Sequence, residues 1–265
     1  MPALDGKLSL VTGASSGIGV EIAKALAARG SRLLLVARGR EGLERTAAEI
    51  TEAGGGASVF PADLSDLADV RRLAGEVLAG PGAPDVLVNN AGAGRWRAID
   101  ETEPGEAARA MALPYLAAYE LTRELVPAMI ERGSGHILNM TSAAAYVTIP
   151  GATAYGVARW AMRAFSYQLE GDLRGTGVGV SLLAPTEVDS PYFDHNPGSR
   201  ERIPRVAKLT GTLDEADVAA EAVKAIERGT RERIVPARGR LLIRGTPAPL
   251  MRGLVNRTGW RRRGR

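Results

Sequence analysis

The chain has 265 residues, 45% hydrophobic and 24% charged, with 34 basic against 30 acidic residues and a net charge of +4. It has no cysteine and only two histidines, His136 and His195, which excludes disulfides, thiolate chemistry and Cys- or His-rich metal sites; no metal is expected, and a reducing cytoplasmic setting fits. No apolar run approaches the roughly 18 residues of a membrane span, no leader-like segment opens the chain, and much of the basic excess sits in Arg261, Arg262, Arg263 and Arg265, so no nucleic-acid-binding face is expected.

In chain order, short β-branched or apolar runs at 7–12, 32–37, 58–62, 85–89, 136–141, 178–184 and 233–236 predict seven strands. Between them, helical spacing of apolar residues predicts helices over 18–29, 42–53, 67–79, 106–132, 153–174 and 214–228. Strands that are apolar throughout, alternating with helices, predict an α/β fold: a Rossmann-type, doubly wound, mainly parallel seven-stranded sheet covered on both faces. Residues 1–240 read as one such domain, 190–211 as a lid or substrate loop within it, and 241–265 as a basic, partly apolar tail.

Residues 12–19 read Thr-Gly-Ala-Ser-Ser-Gly-Ile-Gly, directly after the first strand and at the start of the first helix. Glycine at 13, 17 and 19 lets the backbone turn tightly and approach a phosphate with no Cβ in the way. Free amides and the helix dipole then favour an anion. An ordinary tight turn is the alternative; the strand–turn–helix placement favours the phosphate site.

This motif resembles that of the classical short-chain dehydrogenase/reductase family, and further matches follow in order. They are Ala62-Asp63-Leu64 after the third strand, Asn89-Asn90-Ala91-Gly92 after the fourth, Ser142 after the fifth, and Tyr155 thirteen residues on. The resemblance spans residues 7–236. It implies a nicotinamide cofactor held by Gly13, Ser15, Ser16, Gly17, Ile18 and Gly19, with Asp63 and Leu64 at the adenine. Asn90, Ala91 and Gly92 would lie along the cofactor. Pro185, Val188 and Ser190 would line its nicotinamide end. The second strand ends Val36-Ala37-Arg38, with no acid to bond a ribose 2′-hydroxyl and a guanidinium able to fork onto a 2′-phosphate. NADP(H) is therefore expected over NAD(H).

The same resemblance makes Tyr155 the acid/base and Ser142 the group that polarises the substrate oxygen. It implies an oxidoreductase that interconverts a carbonyl and a secondary alcohol. Three departures stand out. The usual lysine is Arg159, which the i,i+4 spacing still sets on the face of Tyr155. Arg159 is expected as a permanent charge beside the phenol and an anchor for the nicotinamide ribose, but not as a proton carrier. The position of a helix-kinking Asn aligns with Pro114, which removes a helical N–H bond to Ala110 and should itself kink the helix. Pro-Gly after the sixth strand is Pro185-Thr186. These departures keep a second reading open, a catalytically impaired dinucleotide-binding sensor or interaction protein.

Ala93-Gly94-Arg95-Trp96, Tyr146 to Pro150 and Tyr192-Phe193 are candidates to line the substrate pocket; for Arg95 and Arg97 solvated surface is favoured, with contact to an anionic substrate as the alternative. By resemblance, a homodimer or homotetramer would form through the helices at 106–132 and 153–174. In the tail, Leu250, Met251, Leu254 and Val255 form one face of a short helix followed by Trp260 and arginines. Packing on the chain's own subunit or a neighbour is favoured there, with peripheral membrane-surface contact as the alternative.

Overall fold

The computed structural model describes residues 4–261. Among the described residues the strands are β1 (Leu8–Thr12), β2 (Arg32–Ala37), β3 (Gly56–Pro61), β4 (Val86–Asn89), β5 (Gly135–Met140), β6 (Val178–Pro185), β7 (Glu187–Val188), β8 (Thr212–Leu213) and β9 (Glu232–Val235). The helices are α1 (Ile18–Ala27), α2 (Arg40–Glu52), α3 (Leu67–Ala79), α4 (Glu106–Met111), α5 (Ala118–Arg132), α6 (Thr153–Asp172), α7 (Tyr192–His195), α8 (Glu215–Arg228), α9 (Ala237–Gly245) and α10 (Ala248–Thr258). Seven strands form one parallel sheet, as the sequence predicts, in the order β3-β2-β1-β4-β5-β6-β9. β7 and β8 pair separately. They are too short to carry a readable period, and the sequence did not reveal them.

Alternation along each strand feeds two cores. Val11, Leu33, Leu35, Val86 and Val88 face α1, α2 and α8, meeting Ile22, Leu26, Leu43 and Val218. Leu8, Leu10, Leu34, Val36 and Leu87 face α3, α5 and α6, meeting Leu73, Leu125 and Leu169. Both strand faces are thus dry, which is why the strands read as unbroken apolar runs.

Val11 is in register with Leu35 on one side and Val88 on the other. Strand order reverses at this point, so the loops after β1 and β4 diverge and open a crevice at the carboxyl ends, where such sheets take ligands. Thr12 fastens the crevice. Its Oγ1 donates to the Val88 carbonyl at 3.2 Å and accepts from the amides of Asn90 and Ala91 at 2.9 and 3.0 Å.

The helix expected over 106–132 is not one regular helix. Residues Ala112–Ala117 form a π-helical turn between α4 and α5, with Pro114 buried inside it. Proline offers no N–H and crowds the carbonyl four residues back; widening the turn by one residue relieves both. The kink expected at Pro114 takes this bulged form. Residue 240, where the tail is expected to begin, falls inside α9. The tail continues into α10, where Met251 and Val255 turn inward and Leu250 stays exposed. Arg262, Arg263 and Arg265 lie outside the described residues. Among the described residues no helix is long and apolar enough to cross a membrane.

Candidate active site

One cleft of about 800 Å³ runs along the carboxyl ends of β1, β4, β5 and β6. At one end lies the turn after β1, where Gly13 and Gly17 take φ of 70° and 64° in the left-handed region. A Cβ on Gly19 would intrude on the Gly13 carbonyl oxygen and stand 2.7 Å from Asn90 Nδ2. That amide nitrogen is already committed, donating to the Thr12 carbonyl at 3.0 Å. The bend is therefore closed to side chains from behind and open toward the cleft, which Ser15, Ser16 and Ile18 also line.

Ala37, Arg38 and Gly39 line the cleft beyond the turn, with Arg38 exposed at the rim. Ala62 and Leu64 border it, whereas Asp63 between them does not. The Asp63 carboxylate instead accepts from the Ser65 hydroxyl and amide at 2.7 and 3.0 Å. These bonds, with a smaller contribution from the charge of Arg38, hold it below the usual carboxylate range.

Asn90, Ala91 and Gly92 also line the cleft, as do Ser142, Tyr155 and Arg159. Ser142 follows β5 through Thr141, whose Oγ1 donates to the Arg159 carbonyl at 2.9 Å and so ties the end of β5 to α6. The Ser142 hydroxyl also caps the short turn at Ala143–Ala145, accepting from the Ala144 amide at 3.2 Å. Tyr155 sits in the first turn of α6 and is 6% exposed. Trp96 and Tyr192 pack on its ring at centroid distances of 5.1 and 6.1 Å. The guanidinium of Arg159 lies over the same ring, and the absence of a Cβ at Gly92 makes room for it; one there would stand 2.7 Å from Nη2. Arg159 is itself 7% exposed, and its Nε is buried with no hydrogen-bond partner. Pro185, Val188 and Ser190 border the cleft on the β6 side, with Thr186 among them. The Thr186 hydroxyl is also buried and unpartnered.

The sequence marked Trp96 and Tyr192 as pocket candidates, but not the bonds that join them. Trp96 donates its backbone N–H to Ser199 Oγ at 3.0 Å and its indole N–H to the Tyr192 hydroxyl at 3.2 Å. The Tyr192 hydroxyl donates in turn to the Gly94 carbonyl. Burial first, and the neighbouring Tyr155 second, push the Tyr192 phenol well above its ordinary pKa. Residues about a hundred positions apart thus form one aromatic wall, and only the aromatic types at 96 and 192 hinted at it. Tyr146 does not join that wall. It bonds Glu232, as does Tyr167 at 2.6 Å, while Val147 and Ile149 line the cleft instead. Arg97 pairs with Glu103 and Glu106, and Arg95 is exposed.

A family model described as short chain dehydrogenase matches residues 7–199. The chain is 35% identical over 238 residues to a fatty acyl-CoA reductase of Acinetobacter baylyi, covering 89% of this chain and 78% of that one. It resembles a solved metagenomic short-chain oxidoreductase in complex with NADP, at 33% identity and a TM-score of 0.74 over 88% of this chain and 98% of that one. It also resembles a short-chain dehydrogenase/reductase from Burkholderia phymatum in complex with NAD, at 26% identity and a TM-score of 0.79, over 88% and 90% of the two chains. Seven parallel strands in this order, a side-chain-free bend after β1 and the family match over most of the length agree, and the chain belongs to the short-chain dehydrogenase/reductase family of oxidoreductases.

Proposed function

We propose that this protein is an NADP(H)-dependent oxidoreductase that interconverts a carbonyl compound and a secondary alcohol. The observation that carries the reading is Tyr155 buried beneath the Arg159 guanidinium, in the cleft that also holds Ser142 and the glycine bend. The cleft suits a dinucleotide on its own features. A Cβ at Gly13 or Gly19 would collide with Asn90, Ala91 or the Gly13 carbonyl, so only glycine keeps this turn tight beside the cleft. Arg159 Nε and the Thr186 hydroxyl are buried polar groups that still lack partners.

Main-chain amides at Ser15 to Gly19, at the amino end of α1, would take the diphosphate. Arg38 would take the 2′-phosphate as a charge-assisted fork, and no acid at 37 opposes it. Asn90 to Gly92 would lie along the cofactor, and Arg159 would anchor the nicotinamide ribose. Pro185, Val188 and Ser190 would bound the nicotinamide. Leu64 would border the adenine, with Asp63 bracing that rim through Ser65.

The reduced cofactor, when bound, supplies a hydride to the carbonyl carbon. The Ser142 hydroxyl holds the carbonyl oxygen as charge develops on it. Tyr155 donates its phenolic proton to that oxygen, giving the alcohol. Arg159 stabilises the phenolate left behind without giving up a proton of its own. Oxidation runs through the same groups in reverse.

The test is NADPH consumption against a panel of ketones and aldehydes, with Tyr155→Phe alongside. The variant should bind NADPH normally and lose about 10²–10⁴-fold in kcat, the usual contribution of a general acid. NADPH binding without turnover of any carbonyl would favour a sensor instead.

We also infer that α5 and α6 form a self-association face. Tyr119, Val157, Trp160 and Tyr167 are exposed there, 41–59% each. Trp160→Glu should lower the solution mass measured by light scattering if this is so.

A further inference from the structure

On the lid side of Tyr155 the cleft changes character. Val147, Ile149, Ile203, Val206, Met251 and Val255 line it there. Ile149 and Ile203 pack on the cluster that contains Trp96 and Tyr155, so this wall is continuous with the surroundings of Tyr155. Residues 196–258 are rich in arginine, yet no charged side chain from that stretch lines the cleft. Asn196 and Thr210 do line it, but both are internally engaged. Asn196 Nδ2 donates to the Tyr192 carbonyl at 2.7 Å, and Thr210 Oγ1 donates to the Ala207 carbonyl at 2.7 Å.

The far wall is fastened. Met251 and Val255, four residues apart on one face of α10, are buried at 5% and 2% exposure. The Val206 amide donates to Thr258 Oγ1 at 3.3 Å. Arg202 stacks over Trp260 with its guanidinium carbon 4.6 Å from the ring centre, and it pairs with Glu101 at 2.7 Å. α10, the lid and the segment after β4 thus hold one another. A small polar substrate would leave this apolar wall facing water, which is unfavourable in proportion to its area.

We propose that the non-reacting part of the substrate is an uncharged aliphatic chain lying against this wall, and that Met251 and Val255 of α10 set the chain length accepted. This rests on the carbonyl–alcohol reading above. Branched aliphatic side chains and a methionine suit a flexible chain, because thioether and methyl groups repack around it without demanding a donor or acceptor.

The test is kcat/KM for straight-chain 2-ketones from butanone to 2-dodecanone with saturating NADPH. Each added methylene should raise kcat/KM about fourfold, the full burial of one CH₂, until the chamber is filled. Met251→Trp should move that plateau to a shorter chain by at least two carbons, a shift that general destabilisation does not produce. Tryptophan fluorescence of the NADP⁺-loaded protein, titrated with 2-decanone and 2-butanone, which the oxidised nucleotide cannot reduce, gives a binding readout that should favour 2-decanone. A flat chain-length profile, or a Met251→Trp loss of one uniform factor at every length, would overturn this inference and leave the oxidoreductase reading intact. Bound NADPH with no turnover at any length would overturn both.

Discussion

The guanidinium carbon of Arg159 stands 4.9 Å from the centre of the Tyr155 ring, one turn further along α6. The pairing keeps a fixed positive charge against a phenol, where a lysine would bring a titratable one. Arg159→Ala should therefore lower kcat/KM by on the order of 10², within the range of general acid–base contributions. It should also weaken NADPH binding, as the proposed ribose anchor is lost. Arg159→Lys should keep more of kcat than the alanine variant, because it retains the charge while losing the planar fork. Steady-state kinetics and NADPH titration by fluorescence read both quantities. Full kcat in Arg159→Ala would remove this residue from the mechanism.

Arg38 governs the choice of nucleotide in the proposed function. It is exposed at the rim of the cleft, directly after Ala37. A hydrogen bond to a charged group contributes about 1.5–3 kcal/mol, so Arg38→Ala should raise the NADPH dissociation constant by roughly 10- to 100-fold. NADH affinity should stay where it is, since NADH has no 2′-phosphate to lose. Equal losses for both nucleotides would mean that Arg38 acts on the fold of the rim instead.

The glycine bend makes a sharper structural claim. At Gly19 a Cβ would press on the Gly13 carbonyl, which is backbone, and on Asn90 Nδ2, which is held by its bond to the Thr12 carbonyl. Gly19→Ala should cost about 1–3 kcal/mol of stability, as overpacking typically does, and weaken NADPH binding by at least tenfold. Gly75→Ala provides the control. Gly75 lies within α3 with nothing within 4 Å of its would-be Cβ, so alanine there should stabilise by about 0.5–1 kcal/mol through helix propensity. Urea midpoints of the two variants, compared with the parent, test the contrast. A Gly19→Ala protein as stable as the parent would mean the bend yields.

What the sequence revealed and what it concealed divide along physical lines. The bend at 13–19 was readable because its requirement is local: three positions that cannot carry a Cβ. The sheet was readable because both faces of β1 and β2 are buried, at Leu8 and Leu10 on one side and Val11 on the other. Pro114 announced a missing N–H but not how the helix would accommodate it, since a kink and a π-turn both solve that problem. The Trp96–Tyr192–Ser199 wall was hidden because its bonds join residues about a hundred positions apart. The inward face of α10 was written as Met251 and Val255, but an amphipathic stripe does not say what covers it. Asp63 shows the limit of a motif. The motif marks the residue, yet its carboxylate turns to Ser65 while its neighbours border the cleft.

The sheet also contains a titratable group that should make stability depend on pH. His136 in β5 is 2% exposed, and its Nε2 lies 2.9 Å from Ser181 Oγ in the neighbouring strand. The Ser181 hydroxyl donates to the Thr230 carbonyl at 2.6 Å, so its oxygen is left to accept from Nε2–H of a neutral ring. Burial lowers the His136 pKa from 6.5 to about 4. The folded value lies below the unfolded one, so as pH falls the unfolded chain takes up the proton first. The associated stability is present above about pH 6.5 and drains away between there and pH 4, by roughly 3 kcal/mol in all. His136→Gln should lose that part of the pH dependence, whatever its effect at pH 7. Urea unfolding at pH 7, 5.5 and 4.5 on parent and variant measures it. If both proteins lose stability equally over that interval, the acid sensitivity belongs to the carboxylates, and His136 plays no part in it.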